Sequence, residues 1–313
     1  MVRILFFGTA QISRAFIENL YANKLDILCV TMPDKPAARG QKITPPAVKT
    51  FAQEKGIPFI QPEKFTEDFV NKIKDFDSDA GVAVAYGKLI PEEVFNLPKR
   101  KTFNIHFSLL PKYRGAAPVQ RALLNGETQT GVSSFYLEKT MDTGRILIQK
   151  ILPIEEKDTA QTLFEKLIPL GVKVMNDTLE LLKDGNPIGE QQEGEASYAP
   201  TIKKEDGLIV WQKSAKEILN IFRGFYPWPG VYCIVSKGKL QGRRLKILDF
   251  EIIENSSVNV DAGKVFYIEK NKGFAVICGK GKILVTKVQP QNKPEMSAWD
   301  FLQGGQLKEG DWL

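Results

Sequence analysis

The feature that most constrains the fold is an alternation in the first half of the chain. Short apolar runs are separated by stretches with helical spacing. Val2–Phe7, Asp26–Thr31 and Ala80–Ala85 are apolar at nearly every position, whichever face each residue takes. Strands covered on both sides read this way, because neither face meets water. Gln11–Tyr21, Pro46–Lys55 and Glu67–Phe76 predict helices between them, Pro58–Ile60 a short strand and Thr102–His106 a further one. Strands alternating with helices imply βαβ units and a Rossmann-like, mostly parallel sheet of the α/β class. Ligands of such sheets bind beyond the carboxyl ends of the strands.

The texture changes later in the chain. Asp158–Leu182 predicts a long amphipathic helix, interrupted near Pro169-Leu170-Gly171, and Lys183–Asp206 reads as a linker rich in Gly, Glu, Gln and Pro. Lys213–Arg223 predicts a helix. Val231–Val235, Leu245–Ile253, Gly263–Ile268, Phe274–Ile277 and Ile283–Val288 then predict short strands separated by glycine turns. Several short strands in so short a span suggest a small β-barrel. The domains expected are therefore 1–182, a linker at 183–206, and 207–313. Charge follows the same division. Residues 1–206 hold 27 Lys+Arg and 27 Asp+Glu, whereas residues 207–313 hold 16 and 10, so the whole net charge of +6 lies in the last third. A basic second module suggests an anionic partner. One connection is also long for a βα turn: Met32–Ala47 carries four prolines with Asp34, Lys35, Arg39 and Lys42, which suggests a binding loop.

Several classes are excluded. No apolar run reaches the ~20 residues a membrane helix needs. The start, MVRILFFGTAQISR, reads as a first buried strand rather than a signal peptide. Cys29, Cys233 and Cys278 lie far apart and form neither a disulfide framework nor a zinc pattern. A reducing cytoplasm suits them. The chain has one histidine, His106, so a multi-histidine metal site is ruled out and no metal is expected.

That histidine lies in Phe103-Asn104-Ile105-His106-Phe107-Ser108. Residues two apart in a strand share a face, so Asn104 and His106 point one way and the apolar residues the other. An Asn amide can donate to a developing oxyanion, and a histidine can do acid or base work near neutral pH. A half-buried structural histidine reads the same in isolation. Downstream, Glu138–Gly144 is a polar loop carrying Asp142. A carboxylate brought to His106 would orient the ring, although spacing alone does not bring the two together. The turn at Gly8-Thr9 lacks a phosphate-binding glycine pattern. Trp228, between two prolines, suits a domain junction or a stacked base.

Asn104–Gln120, NIHFSLLPKYRGAAPVQ, resembles the signature of the formyltetrahydrofolate-dependent formyltransferases. ILFFGT (4–9), DKPAARGQKITPPAVK (34–49), AVAYGKLIP (83–91), Asp142–Gly144 and RGFYPWPG (223–230) extend the resemblance nearly end to end. The resemblance implies a formyltransferase fold followed by an oligonucleotide/oligosaccharide-binding barrel. It implies a catalytic trio of Asn104, His106 and Asp142. Ser108, Leu109, Leu110 and Pro111 would contact the folate, with Gly87, Lys88, Leu89 and Ile90 forming the wall around the pterin. Arg39, with Lys42 in the same insertion loop, would approach a tRNA acceptor end. Lys237, Lys239, Arg243 and Arg244 make a basic cluster suited to phosphates.

The activity implied is transfer of formyl from 10-formyltetrahydrofolate to the α-amino group of methionine on initiator methionyl-tRNA, for translation initiation. It needs no metal and no covalent enzyme intermediate. A soluble cytoplasmic monomer from a bacterium is the expectation. Phe107 stands where the family pattern leads one to expect a small residue. Ala10, Ile12 and Ala38 depart from it as well, and none of these removes a catalytic group. Two rivals share the trio or the basic module: a formyltransferase or hydrolase acting on another acceptor, and a nucleic-acid-binding protein on an inert scaffold. The basic loop and basic second module count against the first, and the intact trio against the second.

Overall fold

In the computed structural model, which describes residues 2–37, 42–236, 241–258, 260–305 and 307–313, the alternation becomes a single seven-stranded sheet. Its elements begin with β1 (Arg3–Gly8), α1 (Gln11–Ala22) and β2 (Asp26–Val30). A small hairpin of β3 (Lys35–Ala37) and β4 (Lys42–Thr44) follows, then α2 (Ala47–Lys55), β5 (Phe59–Ile60), α3 (Glu67–Asp75) and β6 (Ala80–Val84). After these come α4 (Glu92–Phe95), β7 (Thr102–His106), β8 (Arg114–Gly115) and α5 (Pro118–Leu124). The hairpin β9 (Gln129–Tyr136) and β10 (Ile146–Pro153), α6 (Ala160–Leu181) and β11 (Tyr198–Ala199) complete this part.

The strand order is β10-β9-β7-β6-β1-β2-β5. The five strands from β7 to β5 are parallel, and β9 and β10 add antiparallel. Ile4, Leu5, Phe6 and Phe7 in β1 are all fully buried, which is why its sequence has no polar alternation. Leu5 and Phe7 pack on one face with Val30, Ile73, Ala83 and Tyr86. Each such side chain contributes about 1.5–3 kcal/mol of transfer free energy. Chain order reverses between β1 and β6, so a crevice opens beyond their carboxyl ends, at the switch point of the sheet.

One reading is corrected here. The helix predicted over Asp158–Leu182 runs without interruption from Ala160 to Leu181 with Pro169 inside it. Packing overrides the local breaker: a Cβ on Gly171 would stand 2.9 Å from the Phe16 ring, so the glycine gives that ring its space. The stretch 183–206 is more than a tether. Tyr198 and Ala199 pair in parallel with Arg114 and Gly115, and Glu190 bridges Ile146.

The chain packs as two compact units. One comprises Met1–Pro118, Gln129–Ile154 and Phe164–Pro200, the other Val119–Thr128, Glu155–Leu163 and Thr201–Leu313. The second contains α7 (Ala215–Phe225), β12 (Val231–Ile234), β13 (Arg244–Val258), β14 (Val265–Glu269), β15 (Gly273–Ile277), β16 (Lys280–Pro290), β17 (Met296–Ser297) and α8 (Ala298–Gln303). Its antiparallel sheet runs β12-β13-β16-β15-β14, with β17 on β16. The 15-residue β13 shifts register repeatedly against β16, and such bulges bend a strand as a barrel-like sheet requires. Arg223, on α7, is buried and donates from Nε to the Asp158 carbonyl at 2.6 Å and from Nη2 to the Glu155 carbonyl at 2.8 Å. Among the described residues no helix is long and apolar enough to cross a membrane.

Candidate active site

The crevice is a cleft of about 890 Å³. Ala10 and Ile12 line it beyond β1, Ala85 to Pro91 beyond β6, and Asn104 and His106 at the end of β7. This is where the alternation of β7 placed a polar pair. The side-chain amide of Asn104 makes no hydrogen bond to another described residue and is open to a ligand. His106 is buried, in a T-shaped contact with Phe135 at a centroid distance of 6.4 Å. Its Nε2 lies 2.9 Å from the Tyr113 carbonyl oxygen. A carbonyl only accepts, so Nε2 carries a proton and donates. The other nitrogen, Nδ1, faces Asp142 Oδ2 at 3.7 Å.

The loop between β9 and β10 therefore brings the carboxylate to the histidine, which sequence spacing left open. Asp142 holds a left-handed backbone (φ +56°), uncommon without glycine. Its Oδ2 accepts the Gly115 N–H at 2.7 Å. Gly115 itself has φ +120°, and a Cβ there would stand 2.7 Å from the Ala199 carbonyl oxygen.

The other expected residues divide. Gly87, Lys88, Leu89 and Ile90 line the same cleft as the trio. Gly87 turns the chain at φ +88°, Lys88 reaches back to the Glu63 carbonyl, and Leu89 stands exposed at the rim. Ser108, Leu109, Leu110 and Pro111 form the turn that follows β7. Several of their polar groups are engaged within the fold. Ser108 Oγ donates to the Lys112 carbonyl at 2.6 Å, Leu110 N–H donates to Ser133 Oγ at 3.2 Å, and Gln149 Nε2 donates to the Leu110 carbonyl at 3.1 Å. This turn leads into Tyr113, whose carbonyl orients His106. Phe107 packs edge-on between Phe16 and Phe164, at 6.3 and 5.9 Å, so the large residue fills core at the cleft wall.

Arg39, Lys237 and Lys239 lie outside the described residues. Lys42 begins β4. The base of its loop is held by Lys49 and Gln61, which both donate to the Asp34 carboxylate and hold its pKa below the ordinary range. Arg243 is exposed, and Arg244 sets its guanidinium 3.9 Å over the Tyr232 ring. Burial raises the pKa of all three thiols, those of Cys233 and Cys278 to about 12. They pack as small apolar groups rather than nucleophiles. Sequence reasoning missed Tyr86. It lines the cleft, its buried hydroxyl has no partner among the described residues, and burial raises its pKa to about 12. Its position directly after the apolar run Ala80–Ala85 was the available signal.

A sequence profile of the formyl transferase family matches residues 2–179, more than half of the chain, and one of the formyl transferase C-terminal domain matches residues 201–306. The chain belongs to the formyl transferase family. It is 57% identical over 310 residues to the methionyl-tRNA formyltransferase of Endomicrobium trichonymphae, covering 99% of each chain. To the methionyl-tRNA formyltransferase of Thermodesulfovibrio yellowstonii it is 39% identical, covering 98% of this chain and 97% of that one. Among solved structures it is similar to an N-formyltransferase from Helicobacter canadensis in complex with folinic acid and dTDP-3-aminofucose. The TM-score is 0.66 at 21% identity, covering 93% of this chain and 100% of the other. At that identity the likeness concerns the fold.

Proposed function

We propose that the chain transfers the formyl group of 10-formyltetrahydrofolate to the α-amino group of methionine on initiator methionyl-tRNA. The geometric observation that carries this reading is the convergence of Asn104, His106 and Asp142 on one cleft, with His106 Nδ1 3.7 Å from the carboxylate. The acceptor is supported by full-length similarity to proteins of that name.

The cleft suits a folate. Its volume and mostly apolar wall match a flat heterocycle. The Gly87–Ile90 loop supplies backbone groups at the rim, and Ser108, Leu109, Leu110 and Pro111 contact the folate from the turn that leads into Tyr113. The α-amino group, whose ordinary pKa of about 7.7–8.0 is lowered by the neighbouring ester, attacks the formyl carbon as the neutral amine. Negative charge grows on the formyl oxygen. Asn104 donates to it from its free amide, and the imidazolium of His106 donates from Nδ1, because Nε2 is committed to Tyr113. The Asp142 carboxylate stabilises that ring charge and passes the proton from the attacking amine to the leaving nitrogen. A bond forms from the amine to the formyl carbon, the bond from that carbon to N10 breaks, and N10 gains the proton.

The transfer is assigned to domain 1–182 and tRNA binding to 207–313, joined by 183–206. Arg39, Lys42, Lys237, Lys239, Arg243 and Arg244 contact phosphates. No metal takes part, and the protein works as a cytoplasmic monomer. The test is a competition between acceptors: purified protein with 10-formyltetrahydrofolate and, separately, initiator methionyl-tRNA, elongator methionyl-tRNA and a nucleotide-linked amino sugar. Formyl on the initiator alone is expected. Transfer to the sugar, or loss to water, overturns the acceptor and leaves the trio in place.

A further inference from the structure

Gln192 lies in the stretch whose composition reads as a linker, yet its amide is fully engaged at the candidate site. Oε1 accepts from Arg114 Nε at 3.1 Å and from Arg114 Nη2 at 2.7 Å. Nε2 donates to the Asp142 carbonyl at 2.9 Å and to the Gly144 carbonyl at 2.8 Å. The orientation of the amide is not arbitrary. A guanidinium has only donors, so the oxygen must face Arg114 and the nitrogen must face the two carbonyls. One side chain thereby ties together the two segments that set the His106–Asp142 distance. Arg114 follows Tyr113, whose carbonyl holds His106 Nε2. Asp142 is the carboxylate on the other side of the ring.

The rest of the stretch supports the same contact. Ser197 Oγ accepts the Tyr113 N–H at 2.9 Å, and the Ser197 carbonyl accepts the Arg114 N–H at 2.8 Å. The two donations from Gln192 fall on either side of Thr143, next to the left-handed backbone at Asp142 (φ +56°).

We infer that Gln192 is a positioning residue for formyl transfer, holding the Asp142 loop at its working distance from His106. The inference rests on the function proposed above. It requires two donations that only an amide oriented this way can make. Glutamate at the same position keeps the pairing with Arg114 but loses both donations to the carbonyls. A role limited to accepting from Arg114 therefore predicts rescue by glutamate, and a positioning role does not.

The experiment compares full-length wild type with Gln192→Ala, Gln192→Glu and the exposed neighbour Gln191→Ala. Initial rates are measured with 10-formyltetrahydrofolate and initiator methionyl-tRNA. Both Gln192 variants are expected to lose about ten- to a hundredfold in kcat, the scale of an ångström-level misplacement, with KM for either substrate within about threefold, well short of the loss in kcat. In an Asp142→Ala background Gln192→Ala should add almost nothing, since its effect passes through Asp142. His106 is the single histidine, so its imidazole signal in a nuclear magnetic resonance spectrum is unambiguous. It should move in both Gln192 variants and stay in place in Gln191→Ala, whether or not a given acceptor is used. Wild-type kcat in either Gln192 variant, or full additivity with Asp142→Ala, overturns the inference. If the wild type forms no formyl-methionyl-tRNA, the proposed function fails instead. The histidine signal then decides the positioning role alone, and an unmoved signal refutes it.

Discussion

Gly144 offers the sharpest steric handle on the site. A Cβ built on it would lie 1.7 Å from the Tyr136 carbonyl oxygen, on the strand that precedes the loop. Contacts under 3.0 Å are essentially never seen, so Gly144→Ala forces the loop or the strand to move by at least 1.3 Å. β9 is the less free to move, because it is paired on both sides, with β7 and with β10. The loop yields, and the Gly144 carbonyl, one of the two that Gln192 holds, moves with it. Asp142 is two residues away, so its carboxylate shifts by the order of an ångström relative to His106. A displacement of that size costs on the order of 10² in rate. Overpacking should also lower stability by about 1–3 kcal/mol. Steady-state kinetics with both substrates, beside a thermal melt, separate the effects. The expected result is a folded variant with kcat reduced about a hundredfold and KM for the folate almost unchanged, since Ala85–Pro91 is untouched. A folded Gly144→Ala protein with wild-type kcat would refute the reasoning that the loop's position sets the chemistry.

Two further outcomes concern stability. Arg223→Ala removes the two guanidinium donations to the carbonyls of Asp158 and Glu155, at about 1–3 kcal/mol each. A fall of about 2–5 kcal/mol in urea unfolding is expected, and a loss under about 1 kcal/mol contradicts it. At the start of α7, Ser214 donates to Glu217 from its hydroxyl and its backbone N–H, which holds the Glu217 pKa below the ordinary range. A lowered carboxyl pKa adds stability above its unfolded value, near ~4.3, and loses it as pH falls through the folded value. Glu217→Gln should therefore melt earlier than wild type at pH 7, and the two melts should converge in acid. A gap that is equal at both ends of the titration contradicts this.

What could be read in advance depended on how local its cause was. β1, β2 and β6 were legible because burial on both faces leaves an apolar run. The polar face of β7 was legible because alternation is a property of the strand itself. β9 and β10 were not. Ser133 and Ser134 are fully buried in β9, and they sit there because of distant partners. Ser133 Oγ donates to the Ser108 carbonyl at 2.6 Å, and the hydroxyls of Ser134 and Thr178 lie 2.7 Å apart. In sequence such residues read as loop. The pairing of Tyr198–Ala199 with Arg114–Gly115 is too short to leave a periodic signal. Gln192 looked like linker because glutamine is common there, and only the meeting of three chain segments gives it a task. Asp142 was placed by family resemblance, and the structure supplies the geometric reason through Gly115 and Gln192.

The most direct test of the account is a single-turnover measurement of formyl transfer by His106→Ala against wild type, with initiator methionyl-tRNA and 10-formyltetrahydrofolate at saturating concentrations and tRNA affinity measured in parallel. The account predicts a loss on the order of 10²–10³ in the transfer rate with tRNA binding retained. Transfer at the wild-type rate would contradict the assignment of His106, and with it the role given to the whole cleft.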